Sequence, residues 1–388
     1  DGHGTHVSGT IGQLTNNGQI TTGSSSTLSG STIVLNGNGS LQGGGDVTLL
    51  SRGGIAVNGF TGTRGSLTLS APGSIVNTAL LYAANNLALY ANSITNQRGD
   101  MLAGNNLTMQ RDAAGNANSE VVNTSGNIET QSGDITIRTG HLLNQRDGLK
   151  ANTVTTNVQT IPGIGNATLN VHYSLLPTGS YGYYRNDEYH ESSSCGGKDG
   201  GCSSWTVTTF YYLPFKDSVS QKFVLSETRT DVTSSGGSAR IASGRNAFIS
   251  ANSLDNKASE ILSGNNLTLQ GGQLNNQSWQ NGTTTDVLVY KYDPGRAGKY
   301  AEKEIPDGGL SNKNTRYLKY IQDIKFTLQG HELETTQGQL YRAVIQAGGN
   351  VTANFSSNIS NETTTSNAGG VSGTITAPAL NTLSNQGI

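Results

Sequence analysis

Short apolar–x–apolar triplets punctuate the chain at a fixed interval. Asp46-Val47-Thr48-Leu49 is followed by Ser66-Leu67-Thr68-Leu69, Asn86-Leu87-Ala88-Leu89 and Asn106-Leu107-Thr108-Met109, each 20 residues after the last. Asn246-Ala247-Phe248-Ile249 and Asn266-Leu267-Thr268-Leu269 repeat the phrase at the same step. A second phase reads Met101-Leu102-Ala103-Gly104, Ile241-Ala242-Ser243-Gly244 and Ile261-Leu262-Ser263-Gly264. A third ends in Asn, at Asn96, Asn256, Asn276, Asn361 and Asn385. Alternation of period two marks half-buried strands. Three phases predict three short strands per unit, joined at Gly or Asn corners, since these residues tolerate left-handed backbone.

A fixed period stacks equivalent residues about 4.8 Å apart, with Leu, Ile and Val inside and Asn side chains in hydrogen-bonded ladders. The predicted fold is all-β: a parallel β-helix solenoid with coils of about 20 residues, right-handed as expected for that coil length. Leucine-rich repeats share the length but have another consensus and usually carry a helix. The repeat is legible from about 13 to 156, within a shaft of 1–156, and resumes at 241–276 and 347–388. Two excursions, 157–240 and 277–346, depart from it, so 157–346 is expected to have a task different from that of the coils.

Composition agrees with an elongated repeat. Hydrophobic residues are 33% and charged residues 13%, with 52 Gly and only 7 Pro; this is too apolar-poor for an ordinary core and too charge-poor for disorder. A net charge of −2 supplies no basic footprint for nucleic acid. No run of 18 apolar residues occurs. The chain opens at Asp1 inside a motif-like stretch with no leader, so it is expected to be a fragment.

The excursions differ from the coils. They hold thirteen of the fifteen Tyr, both Trp and nine of the eleven Lys in about two fifths of the chain. Aromatic residues give stiff contact area with a polar handle, as recognition surfaces require. The candidate contacts are Tyr181, Tyr183, Tyr184, Arg185, Tyr189, Trp205, Tyr211, Tyr212 and Phe215. Residues 207–213 are predicted as a strand, and 169–190 as a hairpin of their own. The alternative is a small aromatic core beneath the loop. Cys195 and Cys202 enclose a Gly-rich loop and are expected to form a local disulfide, suited to a secreted protein. In the second excursion, 287–292 reads as a strand, and the cation–aromatic mixture of 316–326 suits an anionic partner.

Catalytic and metal signals are weak, and neither a catalytic nor a metal site is assigned. His172, His190 and His331 lack metal-ligand spacing. Asp187-Glu188 and Glu302-Lys303-Glu304 are adjacent carboxylates, whereas polysaccharide cleavage needs carboxylates that converge in space. No cofactor motif appears. Asp1-Gly2-His3-Gly4-Thr5-His6-Val7-Ser8-Gly9-Thr10 resembles the histidine segment of subtilisin-like proteases, with His3 as the base. However, no aspartate segment or serine-nucleophile segment accompanies it. Residues 5–11 read as a first coil or as a remnant unrelated to the repeat.

The stretches Asn85-Asn86-Leu87-Ala88-Leu89, Ile94-Thr95-Asn96-Gln97-Arg98-Gly99, Leu102-Ala103-Gly104-Asn105-Asn106-Leu107 and Leu143-Asn144-Gln145-Arg146-Asp147-Gly148 resemble the filamentous haemagglutinin repeat of two-partner secreted exoproteins. They are most similar to contact-dependent growth inhibition effectors of Gram-negative bacteria. The resemblance implies a rod exported through an outer-membrane transporter to the cell surface. A central region would bind an outer-membrane receptor on a neighbouring bacterium, a porin-type β-barrel protein before lipopolysaccharide. The toxin would lie outside residues 1–388. A monomeric binding protein without enzymatic activity or cofactor is expected, with a host-cell adhesin or a polysaccharide-processing β-helix enzyme as alternatives.

Overall fold

In the computed structural model the described residues are 5–8, 12–158, 161–171, 182–191, 202–213, 220–292 and 324–364. Among them there is no helix. Contacts divide the chain into two units. The first comprises the described residues of Asp1–Thr153, Thr230–Gly282 and Gln337–Ile388, and the second those of Val154–Arg229 and Thr283–Thr336.

The first unit is a parallel β-solenoid. One coil runs through strands Leu67–Ser70, Ser74–Asn77 and Leu80–Ala83, and the next through Leu87–Tyr90, Ser93–Gln97 and Asp100–Ala103. Every rung pairs in parallel with the next: Val47, Leu67, Leu87 and Leu107 stack in register. Their alternation is the source of the core. Leu67, Leu69, Leu87 and Leu89 are buried inside, while Thr68 and Ala88 between them point outward. The third strand of each coil joins a separate nine-stranded sheet. An Asx turn at Asp112, whose carboxylate accepts the backbone N–H of Ala114 and Asn116, extrudes a few residues, so that Leu107 pairs with Ile135. The N-terminal strand Thr5–Ser8 pairs in parallel with Ser26–Ser29, which makes it a coil strand.

The register passes through both interruptions. Ile135 pairs with Ala247, Ala247 with Leu267, and Leu267 with Val351. The long excursions are therefore insertions between consecutive rungs. Seven asparagines run through the same rungs. Asn77, Asn96, Asn123, Asn144, Asn256 and Asn276 each donate Nδ2–H to the Oδ1 of the next, ending on Asn361, at 2.9, 3.0, 3.0, 2.9, 2.8 and 2.9 Å. The first five are fully buried.

The coil corners depart from the expectation of left-handed Gly or Asn. Two residues after the ladder asparagine, left-handed backbone falls on Arg98, Ser125 and Ala258, with φ of 51°, 47° and 47°. What sustains it is satisfied hydrogen bonding. Their N–H groups donate to Thr124, Gln145 and Gln277 carbonyls one rung on, and the ladder amides hold Gly99, Gly126 and Ser259 carbonyls from within. Glycine serves another corner, where backbones approach closely. A Cβ on Gly104, Gly244 or Gly264 would stand 2.0, 2.0 or 2.3 Å from a carbonyl oxygen of the preceding rung.

Candidate functional site

The second unit has a small core of its own. Strand Thr168–Val171 pairs antiparallel with Ile324–Thr327. Thr155 Oγ1 lies 3.0 Å from Thr228 Oγ1, and Val158 N–H donates to Leu225 O at 3.0 Å, so one index falls as the other rises, the mark of an antiparallel pair. Ile161, Leu169, Val171, Phe223, Leu288, Tyr290 and Phe326 pack together. The Phe223 ring meets Tyr290 edge-on at 5.5 Å and Phe326 at 5.6 Å, the arrangement that the ring quadrupole favours. Tyr290 is fully buried; its hydroxyl donates to Asn166 O at 2.8 Å and accepts the Gly165 N–H at 2.9 Å. That loop holds left-handed φ at Gly163 and Gly165, 76° and 101°. The aromatic run 287–292 thus contributes to a core. The run 316–326 lies mostly outside the described residues, and its Phe326 is buried.

The aromatic candidates gather elsewhere. Strands Gly182–Glu191 and Ser204–Leu213 form a two-stranded antiparallel sheet, in register from Gly182 opposite Leu213 to Glu191 opposite Ser204. The hairpin expected within 169–190 is corrected: its first part, Thr168–Val171, pairs with Ile324–Thr327, and its last part pairs with 204–213. The β-branched and aromatic run after Cys202 is the better strand partner. Seven of the nine candidates lie on these two strands: Tyr183, Tyr184, Arg185 and Tyr189 on the first, Trp205, Tyr211 and Tyr212 on the second. The register sets Tyr183 opposite Tyr212, Tyr184 opposite Tyr211 and Arg185 opposite Phe210. Tyr181 and Phe215 lie outside the described residues. So does Cys195; Cys202 is disulfide-bonded, and Cys195 is the only other cysteine in the chain.

Trp205 is 51% exposed and stacks on His190, its cross-strand neighbour, at 5.7 Å and 12°. His190 was set aside as an isolated histidine in the sequence; only the cross-strand register reveals its partner. Two sets of charged groups pair at the surface of this unit. Lys222 Nζ lies 2.9 Å from Glu332 Oε2 and also bonds Glu334. The hydrogen bonds to Glu334 and then Glu332 raise the Lys222 pKa. His331 pairs with Asp286. Among the described residues no cluster of three or more His, Cys, Asp or Glu is arranged to hold a metal ion. At its described end the hairpin presents the exposed His190–Trp205 stack.

No family model matches the chain, and no solved structure matches it. Curated relatives do. A tRNA nuclease CdiA of Escherichia coli O6:K15:H31 is 49% identical over 365 residues, 93% of this chain and 11% of that protein. A 16S rRNA endonuclease CdiA of Enterobacter cloacae is 43% identical over 368 residues, 90% of this chain and 11% of that protein. A deoxyribonuclease CdiA of Dickeya dadantii is 36% identical over 403 residues, 98% of this chain and 12% of that protein. The chain spans about a tenth of the length of these relatives. With identity of this order over nearly the whole chain and a parallel β-solenoid beneath it, the protein is a CdiA-like segment of the contact-dependent growth inhibition family.

Proposed function

We propose that this chain is the receptor-binding region of a contact-dependent growth inhibition effector, with 157–346 as the binding region between shaft coils. It recognises an outer-membrane molecule on a neighbouring Gram-negative bacterium, a porin-type barrel before lipopolysaccharide, and so permits toxin delivery. It acts as a monomer at the producing cell's surface after export through an outer-membrane transporter, and it binds without catalysing. The observation that carries this is the gathering of seven aromatic and arginine candidates on one hairpin, with Trp205 half exposed. Holding contact residues on a stiff scaffold lowers the ordering cost of binding. The relatives support a role apart from the nuclease: their names differ in target, tRNA, DNA or 16S rRNA, while all share this segment.

The test is binding of the labelled chain to a panel of Gram-negative cells, each lacking one outer-membrane protein or truncated in lipopolysaccharide. Loss of binding in one barrel-protein mutant is the expected result. Deleting residues 181–215 should abolish binding and leave the solenoid folded. Binding that survives this deletion, or absence of binding to any bacterium, overturns the proposal.

A further inference from the structure

The hairpin is a sheet of two strands, and among the described residues neither strand joins a larger sheet. Each strand therefore has an outer edge whose N–H and C=O groups point away from its partner. Proteins normally guard such edges with charge or proline. The strand Gly182–Glu191 is guarded: it carries Arg185, Asp187, Glu188 and Glu191. The strand Ser204–Leu213, SWTVTTFYYL, has no Asp, Glu, Lys, Arg or Pro in ten residues, and eight of the ten are β-branched or aromatic. A ribbon of two strands is marginally stable in water by itself. One edge thus repels a third strand, while the other has the composition to accept one.

We infer that the outer edge of Ser204–Leu213 is the acceptor for an extended polypeptide strand of the receptor, added through main-chain hydrogen bonds. The inference rests on reading this unit as the receptor-binding region and names how it binds. Charge points the same way. One cation stands against three carboxylates across the two strands, which disfavours the phosphates of lipopolysaccharide and leaves an uncharged polypeptide edge as the matching ligand.

In an antiparallel pair, alternate residues of a strand direct both main-chain groups toward the partner strand, and the residues between direct them outward. Two proline series in the full chain separate these sets: Thr206→Pro and Thr208→Pro, against Val207→Pro and Thr209→Pro. The probe is outer-membrane vesicles from a strain that the chain binds, intact or shaved with protease, beside purified lipopolysaccharide. One series is expected to keep the Trp205 fluorescence and the disulfide yet lose binding by at least about tenfold, as for one or two missing main-chain hydrogen bonds. Thr208→Lys, which adds the guard that the other strand carries, should do the same. Shaved vesicles should not bind.

If deletion of residues 182–213 abolishes binding while both proline series and Thr208→Lys bind normally with the hairpin intact, the edge is not the acceptor, although the receptor-binding role stands. Undiminished binding to shaved vesicles or to lipopolysaccharide also overturns the polypeptide strand. If the deletion leaves binding unchanged, the receptor-binding assignment of the hairpin falls with it.

Discussion

Asn144 is the rung that ties the coil before the first insertion to the coil after it, and Asn144→Ala tests the amide ladder. Its Nδ2 donates to Asn256 Oδ1 at 2.9 Å and to Glu260 O at 3.0 Å, and its Oδ1 accepts Asn123 Nδ2 at 3.0 Å. In the variant Asn123 Nδ2 keeps the Gly126 and Arg240 carbonyls, at 3.0 and 3.2 Å. Two acceptors, the buried Asn256 Oδ1 and the partly buried Glu260 O, lose this donor. At about 1–3 kcal/mol for each buried acceptor left short, the expected loss is about 4 kcal/mol. The control is Asn265→Ala, an exposed amide whose bond to Asn246 Oδ1 is 3.0 Å long; it should cost less than about 1 kcal/mol. A solenoid opens locally, so a global midpoint alone is a poor measure. Amide hydrogen exchange over strands Ile135–Gln145 and Ala247–Lys257 reads the affected rungs directly. Equal protection in the two variants, or a loss below about 1 kcal/mol for Asn144→Ala, would refute the ladder as a source of stability.

Glu129 is buried at 1% exposure with Arg240 Nε 2.6 Å from Oε1, and burial raises its pKa to about 7, above the ordinary 4.5, against the pull of Arg240. The folded state thus holds the Glu129 proton more tightly than the unfolded one. Its contribution is fully present below about pH 4.5 and lost as pH rises through about 7, a span of about 3 kcal/mol. Urea unfolding from pH 5 to 8 should show that decline, and Glu129→Gln should flatten it. Gly264→Ala sets a Cβ 2.3 Å from Gly244 O and should cost about 1–3 kcal/mol or more by thermal unfolding, whereas Gly237→Ala, with nothing within 4 Å, should be tolerated. Tyr290→Phe leaves Asn166 O and Gly165 N–H without their buried partner. It should destabilise the second unit by about 1–3 kcal/mol without altering exchange in Leu87–Tyr90.

The solenoid was legible because its determinant is local: a triplet every 20 residues fixes which side chains face inward before any tertiary contact is known. Asn96, Asn256, Asn276 and Asn361 could be read as one ladder from the phrase each closes. Asn123 was harder to place, because the Asp112 turn stretches the coil after Asn96 and the step between them is 27 residues. The corners were misassigned because positive φ on Arg98, Ser125 and Ala258 depends on hydrogen bonds to the neighbouring rung, which composition does not encode. Within the excursions the residue types were informative, but their sorting was not. Tyr290 is buried and Trp205 half exposed, and nothing in a count of aromatics separates them. The hairpin partner was missed for a similar reason. Residues 182–191 pair with 204–213 across the intervening residues 192–203, and sequence proximity favoured 169–190 instead.

Identical phrases on successive rungs create a problem that the apolar core cannot solve. A strand returning from an insertion at Arg240 could stack on a wrong coil and still bury Ile, Leu and Asn against their like. Charge breaks that degeneracy. Among the described residues, the ion pairs that join coils of the first unit all involve positions from 98 to 147 or 240 to 260. Arg98 meets Asp147 at 2.8 Å, His141 meets Asp255 at 2.8 Å, Arg240 reaches Glu129 and Glu260 at 2.6 and 3.2 Å, and Arg245 grips both oxygens of Asp134 at 2.7 Å. Coils before Arg98 have no such pairs among the described residues, and no insertion of comparable length interrupts them. Several of these pairs are largely exposed and add little net stability. Their effect is selective, since a slip by one rung would leave buried Glu129 without the half-buried Arg240, a loss far larger than the pair is worth when formed. Charged residues are scarce in this chain, and their placement at the two sides of the insertion is what fixes the rung on which the repetitive solenoid resumes.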